Sequence, residues 1–202
     1  MLTIGFHDVQ GLDNAIYAMR NPLNSWSKSD SKIVGGKYKL GEQDHKLALK
    51  LIKAGTDHAK FLRMIQVWVD ITAPLYWWKE FDTYKVGTVA NSCSTMHTLH
   101  KRPLTVSDFS IDESCEGTRE IMEHTVKLLN CYRLQYVEDK DKEAWRSLIQ
   151  LLPNSYNQTR TVNLNYAVLR NIYKARKGHK LSEWQTFRTW CESLENADFI
   201  TV

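Results

Sequence analysis

Cysteine is scarce in this 202-residue chain, and the four present, Cys93, Cys115, Cys131 and Cys191, form no Cys-x-x-Cys pair. A disulfide framework is therefore not expected. Nothing at the amino terminus reads as a signal peptide, and the expected setting is the reducing cytoplasm. Four prolines and nine glycines are too few for a low-complexity or disordered chain. No apolar run approaches the roughly 20 residues that cross a bilayer, which excludes a helical membrane protein. Neither sign of charge dominates: 27 basic and 23 acidic residues leave +4. That is too little for a dedicated nucleic-acid binder and compatible with a small anionic ligand. A Gly-rich phosphate loop, a nucleophile elbow and a zinc-protease helix are all absent, so kinase and hydrolase templates have no support.

What the chain has in quantity is aromatic surface. Seven Trp and nine Tyr stand in an otherwise ordinary composition of 43% hydrophobic and 25% charged residues. Such rings suit a core, a subunit interface or a flat ligand. The length suits one domain over residues 1–202, with no repeat and no linker to divide it. "LTIGF" reads as a strand and "LDNAIYAMRNP" as a short helix stopped before proline. "NSWSKSDSKIVGGKYKLG" reads as a surface loop, and "EQDHKLALKLIKAG" as a helix closed by glycine. "RMIQVWVDI" alternates Ile65, Val67 and Val69 against Met64, Gln66, Trp68 and Asp70, a strand with one apolar face. Thr72 as a cap and Pro74 in the first turn predict a helix to about Phe81, followed by an irregular crossing. "DESCEGTREIMEHTVKLLNCYRLQYVEDKDKEAWRSLIQLLP" predicts two antiparallel helices broken at its acidic centre. "NQTRTVNL" has strand character. Asn165 caps a helix closed by Gly178, and Ser182 caps a last amphipathic helix.

Several groupings have chemical potential. Cys93, His97 and His100 would share one face of a helix, but structural zinc normally takes four protein ligands and no fourth is near, so no metal is expected. Lys79, Glu80, Asp82 and Lys85 read as a solvated face, because adjacent helical charges diverge. Trp77 and Trp78 read first as core or interface residues. On the penultimate helix, Arg176 lies about three turns beyond Asn165 and only about 20° around the axis from it, with Asn171 about 120° away. Asn165 and Arg176 are thus placed to line one wall. A guanidinium there is a fixed bidentate donor for a carbonyl or phosphate, or a partner for the last carbonyls of its own helix.

This order of elements resembles the flavin-dependent thymidylate synthases over residues 58 to 190. "LLP" at Leu151 to Pro153 is followed by a strand and by a helix on which Arg176 follows Asn165 after ten intervening residues, the spacing of that family. The resemblance implies an α+β fold, a small mixed or antiparallel sheet packed by helices with a long helical hairpin. It implies a homotetramer with sites between subunits. It further implies FAD as cofactor and a pyrimidine nucleotide as substrate. Arg176 would approach the pyrimidine, and Asn165 and Asn171 the flavin. Asn91, Ser94, Arg146 and Arg160 would be nucleotide contacts. The family's RHRxxSxNExSxRY signature falls on residues 84–97, where Tyr84, Lys85 and Val86 stand at Arg-His-Arg and Val89 at the first Ser. Asn91 and Ser94 match, Ser92 replaces Glu, and Met96 and His97 replace Arg-Tyr. Ala167 replaces a further arginine. Each lost charge-assisted hydrogen bond is worth about 1.5–3 kcal/mol. Two functions are therefore expected: a diverged enzyme of flavin-dependent one-carbon transfer or reduction, or a non-catalytic nucleotide-binding or regulatory protein on the same scaffold.

Overall fold

A computed structural model describes residues 1–112 and 115–202; two positions of the segment read as the start of the helical hairpin, 113 and 114, lie outside the described residues. The fold is α+β. In chain order the elements are β1 (Thr3–Gln10), α1 (Leu12–Ala18), β2 (Lys32–Val34), β3 (Lys37–Lys39), α2 (Glu42–Lys53), β4 (Gln66–Pro74), α3 (Leu75–Phe81), β5 (Val89–Ser92), α4 (Thr95–Thr98), α5 (Thr118–Asp139), α6 (Lys142–Gln150), β6 (Asn157–Asn165), α7 (Tyr166–Ala175), α8 (Ser182–Glu192) and α9 (Asp198–Thr201). Four strands form a sheet in the order β1-β4-β6-β5, and β2 pairs with β3.

The period-two pattern of β4 is realised: Val67, Val69, Ile71 and Ala73 are buried, while Trp68 is exposed and Gln66, Asp70 and Thr72 are partly exposed. Pro74 stands immediately before α3, where its fixed φ of −66° ends the strand and its missing N–H costs nothing. Packing groups the chain into two compact units. One comprises Met1–Thr3, Ile71–Thr83 and Asn91–Thr161, the other Ile4–Asp70, Tyr84–Ala90 and Val162–Val202.

In the first unit, Leu99, Leu104, Phe109, Met122, Val126, Leu129 and Leu148 form one core under the α5–α6 hairpin. The acidic break is where that hairpin turns: Lys140 takes a left-handed φ of 59°, and Asp141 caps α6 by accepting from Glu143 N at 2.8 Å. Trp77 and Trp78 are fully buried, and Trp78 donates its indole N–H to the carbonyl of Gln158 at 2.9 Å. They are core residues in this unit, with Phe81 stacked on Trp77 at 5.1 Å.

In the second unit, the expected 24–41 loop contains the β2–β3 hairpin. Val34 pairs with Lys37 across Gly35 and Gly36, both at positive φ. Two consecutive residues of that kind are what a tight hairpin turn of matching twist requires, and glycine supplies them without strain. The same segment is tied to α2 by a buried carboxylate. Asp44 accepts from Arg20 Nε at 2.6 Å, Ser29 Oγ at 2.5 Å and Ser31 Oγ at 2.6 Å, and it has no solvent exposure. Asp30 in turn accepts from the backbone N–H groups of Gln43 and Asp44 at the start of α2. Burial would raise the Asp44 carboxyl pKa, but the Ser29, Ser31 and Arg20 hydrogen bonds and the Arg20 charge outweigh it and hold the group below its usual range. The expected irregular crossing contains β5 and α4. At α8, Leu181 rather than Ser182 precedes the first turn and no side chain caps it.

Candidate functional site

Helix α7 organises the second unit's candidate site. Asn165 ends β6 and starts the helix, its side-chain oxygen accepting from Val168 N at 3.1 Å. Tyr166 anchors the first turn inward: its ring is 1% exposed and its hydroxyl donates to the carbonyl of Glu195 at 2.5 Å. With Tyr166, Leu169 and Ile172 buried, helical periodicity leaves Ala167, Arg170, Asn171 and Lys174 together on another stripe.

That stripe forms one side of a cavity of about 290 Å³. Gly55, Thr56 and Arg63 from the segment after α2 complete its polar rim, with Ile52, Ala59 and Leu62 as apolar lining. Three cations, an amide and a hydroxyl line a partly apolar space that no carboxylate among the described residues lines. Burial lowers the pKa of Arg170, whose Nη1 donates to the Ile200 carbonyl at 3.5 Å, and burial together with the Arg170 charge lowers that of Lys174. Cations held together next to an apolar wall have the chemistry to receive a flat anion.

Of the residues expected from the sequence, Asn171 and the substituted position Ala167 line this cavity. Asn165 does not; it is 8% exposed and its oxygen serves as the helix cap. Arg176, just past the helix end, is engaged by aromatics. Its Nε donates to the Tyr84 hydroxyl at 2.8 Å, and its guanidinium carbon lies 4.4 Å from the Trp184 ring centroid and 5.3 Å from that of Tyr84. Thr56, Arg63, Arg170 and Lys174 were not expected. The spacing of Ala167, Arg170, Asn171 and Lys174 at i, i+3, i+4 and i+7 is the signal in the sequence for three of the cavity's four α7 residues once Asn171 is singled out.

The remaining candidates belong to the first unit. Arg160, on β6, is already committed: it bonds Asp82 Oδ1 at 2.8 Å and Gln158 Oε1 at 3.0 Å, and stacks over Trp78 at 4.3 Å. Gln158 passes the network on, donating to the carbonyl of Cys93 at 2.9 Å. Asn91 is exposed on β5, and Ser94 precedes α4 without capping it by its side chain. Arg146 is exposed on α6, beside Trp145 and Tyr136, in a separate cavity. Among the described residues, no group of three or more His, Cys, Asp or Glu side chains is gathered as for a metal ion. No helix among them is long and apolar enough to cross a membrane.

No protein-family model matches the chain, and no curated protein matches it. Solved structures do. Thymidylate synthase X from Helicobacter pylori, solved with FAD and dUMP, aligns over 100% of this chain and 96% of its own, with a TM-score of 0.73 at 18% identity. A second structure of that organism's flavin-dependent thymidylate synthase, complexed with FAD and dUMP, aligns over 99% of this chain and 96% of its own, with a TM-score of 0.72 at 18% identity. Nearly complete coverage in both directions leaves no large element of either chain unmatched, and the fold of this protein is that of the flavin-dependent thymidylate synthases.

Proposed function

We propose that this chain is a diverged, flavin-dependent thymidylate synthase-like protein that binds FAD and a pyrimidine nucleotide. The observation that carries the reading is the α7 cavity, where Arg63, Arg170 and Lys174 face an apolar lining with no carboxylate. At about 290 Å³ the cavity suits one flat ring with an adjoining anionic group, the ring of the flavin or of the pyrimidine, rather than both whole ligands. Ile52, Leu62 and Ala167 give a ring an apolar wall, Asn171 offers an amide to a ring carbonyl or imide, and the cations take the negative charge. Bound there, FAD would supply the hydride for one-carbon transfer or reduction. The chain's own part is to bind, orient and exclude water. The fold likeness supports the assignment, because both structural neighbours were solved with FAD and dUMP. The four free cysteines fit work in the cytoplasm.

One observation favours the second reading, a nucleotide-binding or regulatory protein without the chemistry. Arg176, the residue that the resemblance assigns to the pyrimidine, donates instead to Tyr84, which stands at the first arginine of the signature. Tyr84, at the position of that arginine, is thus a hydrogen-bond partner for Arg176.

The deciding experiment loads the purified protein with FAD, passes it through gel filtration and titrates it with dUMP by calorimetry. Retained flavin absorbance, dUMP binding and thymidylate formation support the enzyme. Nucleotide binding with a colourless protein supports the second reading, and no binding of either ligand overturns both. Arg170→Glu should weaken FAD or dUMP binding about tenfold or more, the loss of one charge-assisted contact and its replacement by repulsion. An unchanged affinity removes the α7 cavity from the site.

A further inference from the structure

Helix α1 and the β2–β3 hairpin line a second concave site that shares no residue with the α7 cavity. Asp13 and Tyr17 come from α1, Trp26 from a single helical turn after it, and Lys32 and Tyr38 from the hairpin, around about 430 Å³. That volume is within the range of small-molecule sites. Tyr17 and Trp26 lie nearly parallel, 17° between their planes and 5.9 Å between centroids, yet remain 61% and 39% exposed. The indole is held in place by donating its N–H to Asn21 Oδ1 at 2.9 Å. Two adjacent rings thus offer a preformed platform for an apolar group.

The charges around that platform are of both signs and unspent. Asp13 and Lys32 line the same cavity, but among the described residues neither forms a salt bridge, with the other or with a third group. Arg20, the other cation of the lining, is 5% exposed and paired with the fully buried Asp44 at 2.6 Å. That pair adds no net charge. Lys32 also stands opposite Lys39 in the hairpin register, a like-charge opposition that an anion would relieve. At Tyr38 the field is negative: burial raises its pKa and, against a lowering hydrogen bond with Ser31, the charges of Asp44, Asp13 and Asp30 raise it further.

We propose that this cavity binds a small zwitterion, a free α-amino acid with an aromatic side chain. Asp13 takes the ammonium and Lys32 the carboxylate in charge-assisted hydrogen bonds, while the ring packs on Tyr17 and Trp26. A phosphate-bearing ligand is disfavoured, because Asp13 would repel it and Lys32 alone would offset its charge. Lys32 disfavours a simple amine in the same way. The assignment does not rest on the function proposed for α7.

Calorimetry of the full chain with L-phenylalanine, 2-phenylethylamine and 3-phenylpropionate tests it, since each of the last two lacks one of the charges. Phenylalanine should bind about tenfold or more tightly than either, and it should change tryptophan fluorescence in the native chain but not in Trp26→Phe. Asp13→Asn should bring phenylalanine down to the affinity of phenylpropionate, and Lys32→Gln down to that of phenylethylamine, both with unchanged circular dichroism. Arg170→Glu should leave this binding intact, whatever it does to FAD or dUMP. An analogue of single charge binding as tightly as phenylalanine overturns the proposal. So does native-like affinity in Asp13→Asn or Lys32→Gln, displacement of phenylalanine by dUMP, or no saturable binding of phenylalanine at all.

Discussion

A carboxylate at position 44 has no contact with solvent and three side-chain donors around it, Arg20, Ser29 and Ser31. Replacing it with an amide keeps the size and removes the charge, leaving the 5% exposed Arg20 without its ion-pair partner. Breaking one side of a buried pair costs about 3–5 kcal/mol, and Asp44→Asn should show a loss of that order in urea denaturation. The pH dependence has a definite sign. The folded pKa of Asp44 is depressed below its ordinary 3.8, so its stabilisation is complete above the unfolded value and is lost as pH falls through the lower folded one. Acid unfolding of the native protein should therefore be steeper below about pH 4 than that of Asp44→Asn. A parallel fall in both proteins would show that other carboxylates set the acid limb.

At the scale of elements, the junction of β6 with α7 is tightly bounded. Gly87 has a φ of +76°, and a Cβ there would lie 3.2 Å from both Asn165 Nδ2 and Val168 Cγ2. Gly87→Ala combines an unfavourable backbone with pressure on the helix cap, and should cost about 1–2 kcal/mol in thermal unfolding. A neutral result would mean that the segment moves away from α7. Strong periodicity made most elements legible. β4 announced itself by alternation, α5 and α6 by apolar faces broken at the acidic turn, and α7 by an Asn165 cap that the structure contains. What escaped was short or held from afar. The three-residue strands β2 and β3 carry no burial pattern, all but Tyr38 being exposed, although Gly35-Gly36 is a hairpin signal. β5 is four exposed residues, paired through a sheet that no local window reveals. For the site, spacing along α7 placed Asn165 and Arg176 on one wall, but the cap takes the first and Tyr84 and Trp184 take the second. Asn171, on the other stripe, reaches the cavity. A helical wheel gives direction but not which neighbour a side chain meets.

At the scale of the whole molecule, apolar groups remain uncovered. Ile121 and Leu128 on one side of α5, and Leu134 and Val137 on another, are between 37% and 69% exposed. A homo-oligomer, a tetramer by resemblance to the family, is the proposed assembly. Light scattering coupled to gel filtration should return about four times the 23.5 kDa chain mass; a monomer at micromolar concentration would remove that assignment.

Because Ala167, Arg170, Asn171 and Lys174 sit one or two turns apart on a single helix whose opposite face is the anchored one, the chemistry of the α7 cavity can be rewritten without disturbing the scaffold. Drift at four positions would retune what the protein accepts while the sheet behind it stays as it is. A chain can in this way travel far from its structural neighbours in letters, and even change its ligand, while its architecture hardly moves.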